Sequence, residues 1–216
     1  MAVRKHSFIE GEFYHIYTHS VGDMILFKTN RDYIRAVNTL FASNSTRDIP
    51  RLDRFADLNL VWDMKDGKID IGENLVDLVG FCFMPNHFHL LIGEKRSGNI
   101  SLFMHRLLVS YSKYFNLKYE RRGHVFERTF NSKHLIDNEY LLRASAYIHL
   151  NSKDLDNWQK KECQYPWSSF QDYAGENRWG RLLQAKIVLD QFDGHKQDYR
   201  RFAEDARNID YDPILT

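Results

Sequence analysis

Two histidines one residue apart, in the stretch FMPNHFHLLI (residues 83–92), are side chains whose types and spacing could do chemistry. Alternate side chains of an extended chain share a face, so His87 and His89 project together while Phe88 and Leu90 point the other way. Two neutral imidazoles supply half of a divalent metal site, and phosphate chemistry would add an oxygen ligand and leave positions for the substrate. The same pair is also compatible with one histidine hydrogen-bonded in the core and the other partly exposed.

A second group of suitable side chains lies in NEYLLRASAYIHLN (residues 138–151), a predicted helix with Asp137 as its N-cap. Positions i and i+4 share one face of a helix, so the hydroxyl of Tyr147 and the amide oxygen of Asn151 can reach a common point. An amide oxygen is an acceptable ligand for Mg²⁺ or Mn²⁺. The spacing alone also allows Tyr140, one heptad earlier, and it allows the tyrosine to be an aromatic side chain packed on a sheet.

The elements that must position these residues alternate between strands and helices. A strand is predicted over residues 12–20, a helix from Asn30 as N-cap, a hairpin from LNLVWDM and KIDIG, two central strands around Pro85 and Asn86, and a long helix from Asn99. The stretch HVFERTF is predicted as a short strand before the helix that carries Tyr147. This order predicts an α+β fold, a ferredoxin-like antiparallel sheet with helices mainly on one face. Two further helices, RLLQAKIVLDQF and KQDYRRFAEDA, are predicted in the tail.

Length and composition indicate a folded chain without a membrane span. The 216 residues are 43% hydrophobic and 14% aromatic, and no stretch reaches membrane-spanning length. We expect one main domain over residues 1–174 and a helical C-terminal extension over residues 175–216. The two cysteines, Cys82 and Cys163, do not suggest a disulfide framework, and the first residues lack a signal peptide, so we expect a cytoplasmic protein.

The net charge of +1 conceals a basic middle and an acidic tail. Between Ser101 and His134, seven Lys and Arg face two Glu, a local charge of +5 that favours a polyanionic partner. Interleaved aromatics at Tyr114, Tyr119, Phe126 and Phe130 suit unpaired bases better than plain duplex, although core packing explains such aromatics equally well. The predicted DNA-binding residues are Arg106, Lys113, Arg121, Arg122, Arg128 and Lys133.

Five ordered segments resemble the REP-associated tyrosine transposases, relatives of the single-strand insertion-sequence transposases within the HUH endonucleases. The segments are YHIYTHS, FMPNHFHLLI, RRGHVFERTFNSKHL, EYLLRASAYIHLN and YPWSSFQDY, and the tail YRRFAED also resembles extensions of that family. The resemblance implies that His87, His89 and Asn151 bind Mg²⁺ or Mn²⁺ and that Tyr147, rather than Tyr140, is the nucleophile. This chain departs from many members by having Ser152, and not proline, after Asn151.

The resemblance further implies cleavage of single-stranded or hairpin DNA through a covalent 5′-phosphotyrosine, followed by strand transfer. His134 and His149 are considered as assistants to the phenol, although His149 should face elsewhere on the helix. A DNA-hairpin-binding protein without cleavage and a rolling-circle nickase remain alternatives, and an RNA substrate stays open. The sequence does not decide between a monomer and a homodimer.

Overall fold

A four-stranded antiparallel sheet forms the centre of the computed structural model, which describes residues 7–49, 52, 56–127 and 130–209. The strands are β1 (Phe13–His19), β2 (Val76–Met84), β3 (His87–Glu94) and β4 (Asn131–Leu135). They lie in the order β2-β3-β1-β4, with every neighbouring pair antiparallel. This order confirms the predicted ferredoxin-like sheet.

Seven α-helices accompany the sheet within the described residues. They are α1 (Asn30–Ser43), α2 (Asn59–Lys65), α3 (Asn99–Lys118), α4 (Asn138–Leu150), α5 (Phe170–Ala174), α6 (Lys186–Leu189) and α7 (Lys196–Asp205). The predicted α+β class and the helices around residues 30, 99 and 138 are confirmed. Among these helices, none has both the length and the apolar character needed to cross a bilayer.

Helices α1 and α3 cover the side of the sheet that carries Phe81, Phe83 and Phe88, called here the core face. Phe41 of α1 meets Phe81 edge to face, with ring centroids 6.1 Å apart. Tyr111 of α3 and Phe88 both contact the ring of Phe126. The ferredoxin-like core therefore has its two helices on one face, as predicted.

A buried carboxylate joins α1 to α3. Asp32 is fully buried and accepts hydrogen bonds from Tyr114 at 2.8 Å, Tyr119 at 2.7 Å and Lys118 at 2.6 Å. It also forms a capping box with Thr29, which is the N-cap of α1 in place of the predicted Asn30. Burial by itself would raise the Asp32 pKa, but the hydrogen bonds, with that of Lys118 first, hold the pKa below its usual value.

The opposite side of the sheet, called here the site face, carries His15, His87 and His89 and is covered by α4. Helix α7 packs on α4 in turn, and Nδ1 of the buried His149 on α4 is hydrogen-bonded to the Tyr199 hydroxyl of α7 at 2.5 Å. Nε2 of the same histidine is hydrogen-bonded to Ser169, just before α5, at 2.8 Å. The helices thus divide between both faces once α4 and the tail are included. The domain boundary between residues 174 and 175 stays a prediction.

Three predicted elements differ in the structure. Residues 59–65 form α2 and not a hairpin strand, because Leu60, Val61 and Met64 bury one helical face, and the stretch KIDIG forms no strand. Within its described residues, the stretch HVFERTF contributes one isolated bridge, Ser20 to Phe126, and the edge strand is β4, just beyond it. The tail segment 181–192 forms short turns around α6 rather than one helix, whereas α7 is confirmed.

Candidate active site

The register of β1 against β3 places the imidazoles on the site face. His19 lies opposite His87, and Tyr17 lies opposite His89. The rings of His87 and His89 are 5.0 Å apart between centroids, so the two side chains do project together, as the alternation predicts. The ring of His19 stacks on that of His87 at 4.7 Å.

Each of the two predicted ligand histidines has its Nδ1 atom in a hydrogen bond. Nδ1 of His87 lies 2.8 Å from Oδ1 of Asn86, and Nδ1 of His89 lies 2.8 Å from Nε2 of His15. The amide oxygen of Asn86 can only accept, so Nδ1 of His87 carries the proton and Nε2 keeps its lone pair. Metal-binding histidines in proteins are held in this way, by a partner on the nitrogen that does not bind the metal.

The electrostatics keep both imidazoles neutral. Burial, together with the nearby His19, lowers the pKa of His87 to about 4, despite an opposing hydrogen bond with Asn151. Burial and the neighbouring His15 lower the pKa of His89 well below its ordinary value. At neutral pH, therefore, both side chains are in the form that binds metal.

Helix α4 brings the second half of the site onto the same face. The ring of Tyr147 meets His89 at 5.5 Å and His15 at 5.6 Å, both edge to face. Asn151 caps the end of α4 and is 7% exposed, and its amide nitrogen donates to the Tyr147 carbonyl at 3.2 Å. The Asn151 side chain is also hydrogen-bonded with His87, so its amide group lies beside that imidazole.

A cavity of about 530 Å³ opens over these groups. Its lining includes all four predicted site residues, together with Tyr17 and His19 from β1, Lys153 after α4, and Arg207 in the turn after α7. Tyr140, which spacing alone allowed, is not in this lining. Lys153 could have been suspected from its position two residues after Asn151, whereas nothing in the sequence pointed to Arg207.

The donor set fits a divalent ion. No group of three His, Cys, Asp or Glu suited to a metal occurs in the part of the chain that the structure describes. The site would instead combine two neutral imidazoles, each with its Nδ1 atom held, and one amide oxygen. Such a set satisfies part of the coordination shell of Mg²⁺ or Mn²⁺ and leaves positions for substrate oxygens.

The predicted DNA-binding residues are spread over the molecule. Lys133, on β4, pairs with His15 of β1 and therefore lies on the site face. Arg106 and Lys113 line a second cavity, of about 360 Å³, beside α1 and α3 on the other side of the sheet. Arg121, whose guanidinium lies over the Phe115 ring, and the exposed Arg122 follow the end of α3. Arg128 lies outside the described residues.

The aromatics considered for base stacking and the histidines considered as assistants make contacts outside the cavity. Tyr114 and Tyr119 donate to Asp32, Phe126 is buried in the core, and Phe130 stacks with Phe8 at 6.3 Å. The fully buried His149 bonds to Tyr199 and Ser169, and His134 contacts Glu12 at 3.1 Å. Neither histidine is in the lining of the cavity.

Ser152, where many family members have proline, has a structural role. Its backbone N–H is hydrogen-bonded to the buried Cys82, a contact that proline could not make. The residue after Asn151 is thus hydrogen-bonded to β2, beside the cavity that Asn151 lines.

Comparison with known proteins agrees with the fold. The model of the family described as "Transposase IS200 like" matches residues 70–151, a span that contains His87, His89, Tyr147 and Asn151. This match confirms, over that span, the resemblance that the sequence motifs indicated. No curated protein matches the sequence.

A solved structure extends the likeness beyond that span. It is a REP-associated tyrosine transposase bound to a REP hairpin, with a TM-score of 0.55 and 14% sequence identity. The match covers 80% of this chain and 84% of that chain. At this identity the likeness shows the fold, which the two proteins share over most of their length.

Proposed function

We propose that this protein is a metal-dependent endonuclease and strand transferase of single-stranded DNA, and that Tyr147 is its nucleophile. The observation that supports the proposal is that His87, His89, Tyr147 and Asn151 all line the same cavity. The family match over the same residues is the second support. The competing tyrosine, Tyr140, is two helical turns away on α4, about 10 Å along the axis.

The reaction is a transesterification. The Tyr147 phenol loses its proton and its oxygen attacks the scissile phosphorus, while the bond from phosphorus to the 3′ oxygen breaks and that oxygen takes up a proton. The product is a 5′-phosphotyrosine and a free 3′-hydroxyl. Attack by a second 3′-hydroxyl reverses the step and joins strands, since the covalent link conserves the phosphodiester energy.

The chain's own residues prepare this step. Asn86 and His15 fix the orientation of the two imidazoles, and the contact of Tyr147 with His89 places the phenol beside them. A divalent ion, Mg²⁺ or Mn²⁺, bound by His87, His89 and Asn151 would draw charge from a non-bridging oxygen of the phosphate. Lys153 adds a cation to the cavity wall.

The substrate proposed is DNA that combines a hairpin with an adjacent single strand. The solved relative is bound to a REP hairpin, and here cationic residues occur on both sides of the sheet. Lys133 is on the site face, and Arg106 and Lys113 are at the second cavity. We propose that Lys133 contacts the strand that enters the site and that the second cavity contacts phosphates of the stem.

The experiment that tests the function incubates the full chain with labelled hairpin oligonucleotides that carry single-stranded flanks, in Mg²⁺, Mn²⁺ or a chelator. We expect a denaturant-resistant protein–DNA adduct that requires metal. It should disappear in Tyr147→Phe and persist in Tyr140→Phe, which is a matched control because it removes a hydroxyl from the same helix.

Three results would contradict the proposal in different ways. An adduct that survives Tyr147→Phe and is lost in Tyr140→Phe would assign the chemistry to the other tyrosine. Binding of the hairpin without any adduct, in either metal, would favour a DNA-binding protein that does not cleave. A preference for a supercoiled origin over a hairpin would favour a nickase.

A further inference from the structure

His15, in the middle of β1, contacts both halves of the proposed site although no role follows for it from the sequence. It is fully buried, with 0% of its surface exposed. Its Nε2 atom lies 2.8 Å from Nδ1 of His89, and its ring meets that of Tyr147 edge to face at 5.6 Å. One side chain thus contacts a proposed metal ligand and the proposed nucleophile.

The contact between His15 and His89 couples the proton positions of the two rings. A neutral imidazole carries one proton, on either Nδ1 or Nε2. A hydrogen bond between Nε2 of His15 and Nδ1 of His89 needs one proton between them. If His89 donates it, Nε2 of His89 keeps a lone pair for the cavity. If His15 donates it, the proton of His89 is on Nε2, and the lone pair on the cavity side is lost.

The two ligand histidines therefore differ in how their protons are placed. For His87, the partner is the amide oxygen of Asn86, which can only accept, so one arrangement is imposed. For His89, the partner is itself an imidazole, and the arrangement depends on which nitrogen of His15 is protonated. The fixed backbone pairing of β1 with β3 holds this partner in place.

We propose, building on the function proposed above, that His15 is a positioning residue that accepts the Nδ1 proton of His89 and so directs the Nε2 lone pair of His89 into the cavity. Its edge contact with Tyr147 keeps the phenol beside the same imidazole. His15 itself touches neither the substrate nor the metal in this role. Replacing an acceptor of this kind typically weakens metal affinity 10- to 100-fold.

Three substitutions separate this role from simple packing. His15→Phe keeps a ring of similar size and removes the acceptor. His15→Gln restores an amide oxygen at about the reach of the imidazole Nε2 atom, and His15→Asn places the same oxygen one bond too short. Gln and Asn therefore form a matched pair that differs in reach and not in chemistry.

The measurement is Mn²⁺ binding by the full chain without DNA, followed through the electron paramagnetic resonance signal of free Mn²⁺. We expect the dissociation constant to rise about 10- to 100-fold in His15→Phe and in His15→Asn, and to return to within about threefold of the wild type in His15→Gln. Nitrogen chemical shifts of labelled histidine should show His89 protonated on Nδ1 in the metal-free wild type. Loss of that signal in His89→Ala provides the assignment.

The outcomes distinguish this inference from the proposed function. Equal Mn²⁺ affinity in His15→Gln and His15→Asn, or a His89 ring protonated on Nε2, overturns the positioning role while leaving the metal site intact. If His89→Ala binds Mn²⁺ with the affinity of the wild type, the proposed metal site itself is wrong. If His15→Phe does not fold, the Gln and Asn pair still decides, since both retain a small polar side chain.

Discussion

The site face and the core face of the sheet are built from the same strands but are composed of different side chains. Along β3, His87 and His89 point to the site face, and Phe88 and Leu90 point to the core face. The core face packs ring against ring, whereas the site face buries imidazoles that are held by hydrogen bonds. The difference teaches that alternate residues of one strand have different roles: those on the core face stabilise the fold, and those on the site face supply the proposed chemistry.

The largest effect is expected from neighbouring substitutions on the two faces of β3. His89→Ala should reduce metal-dependent adduct formation more than about 100-fold, beyond what outer partners of a metal site contribute. Phe88→Ala should cost about 3–5 kcal/mol of unfolding free energy, because it empties a buried ring position, and should preserve the adduct yield of each folded molecule.

The measurements are the adduct assay and denaturant unfolding, made on both variants. His89→Ala should lose only about 1–3 kcal/mol, the cost of leaving His15 without this partner. A His89→Ala protein with normal adduct yield, or a Phe88→Ala protein that is stable but inactive, would show that the two faces do not divide their roles in this way.

Buried groups on the two sides of the sheet should lower the unfolding free energy in different ranges of acid pH. Burial lowers the pKa of His149 to about 3, below its ordinary value of 6.5, so unfolding takes up a proton between these values. Stability therefore falls as pH drops below about 6.5, by about 1.4 kcal/mol per pH unit for each such proton. On the core face, the pKa of Asp32 is held below 3.8, so its contribution is lost only as the pH falls through that lower folded value.

Denaturant unfolding from pH 7 to pH 3, without metal, checks this order. His149→Phe should make the slope shallower between pH 6 and pH 4, and Asp32→Asn should alter the profile mainly near its lowest end. A slope unchanged by His149→Phe would mean that this histidine is not held neutral by its burial.

The smallest effect is expected from removing single cationic side chains on either side of the sheet. Lys133→Ala should weaken binding of a short single strand about 3- to 10-fold and reduce the magnitude of its salt dependence by about 0.7. Lys113→Ala makes the same charge change at the second cavity and should affect only DNA that has a hairpin stem. Fluorescence anisotropy at several salt concentrations measures both, and equal effects on the single strand would contradict the proposed path.

The local parts of the fold and site were predictable, and the parts that depend on distant contacts were not. Alternation placed His87 and His89 together, and helical spacing placed Tyr147 near Asn151. Both arguments need only a few neighbouring residues. The roles of these residues stay predictions.

The errors came where tertiary packing overrides local pattern. Residues 59–65 contain enough apolar and aromatic side chains for a strand, but burial of Leu60 and Met64 selects a helix. The hydrogen bonds of Tyr114 and Tyr119 to Asp32, more than 80 positions earlier in the chain, could not be predicted from the local sequence either. His15 could not be assigned from sequence, since its role depends on the register of β1.

The two-residue connection at Pro85 and Asn86 joins β2 to β3 and sets the register of these two strands, so the length of this connection bears on the proposed chemistry. Met84 and His87 pair directly across this connection, and His87 in turn pairs with His19. Removing one residue there would shift β3 by a single position and exchange each histidine with a phenylalanine or leucine. In the evolution of such chains, single-residue insertions and deletions at this connection should therefore be rarer than substitutions at either of its two positions.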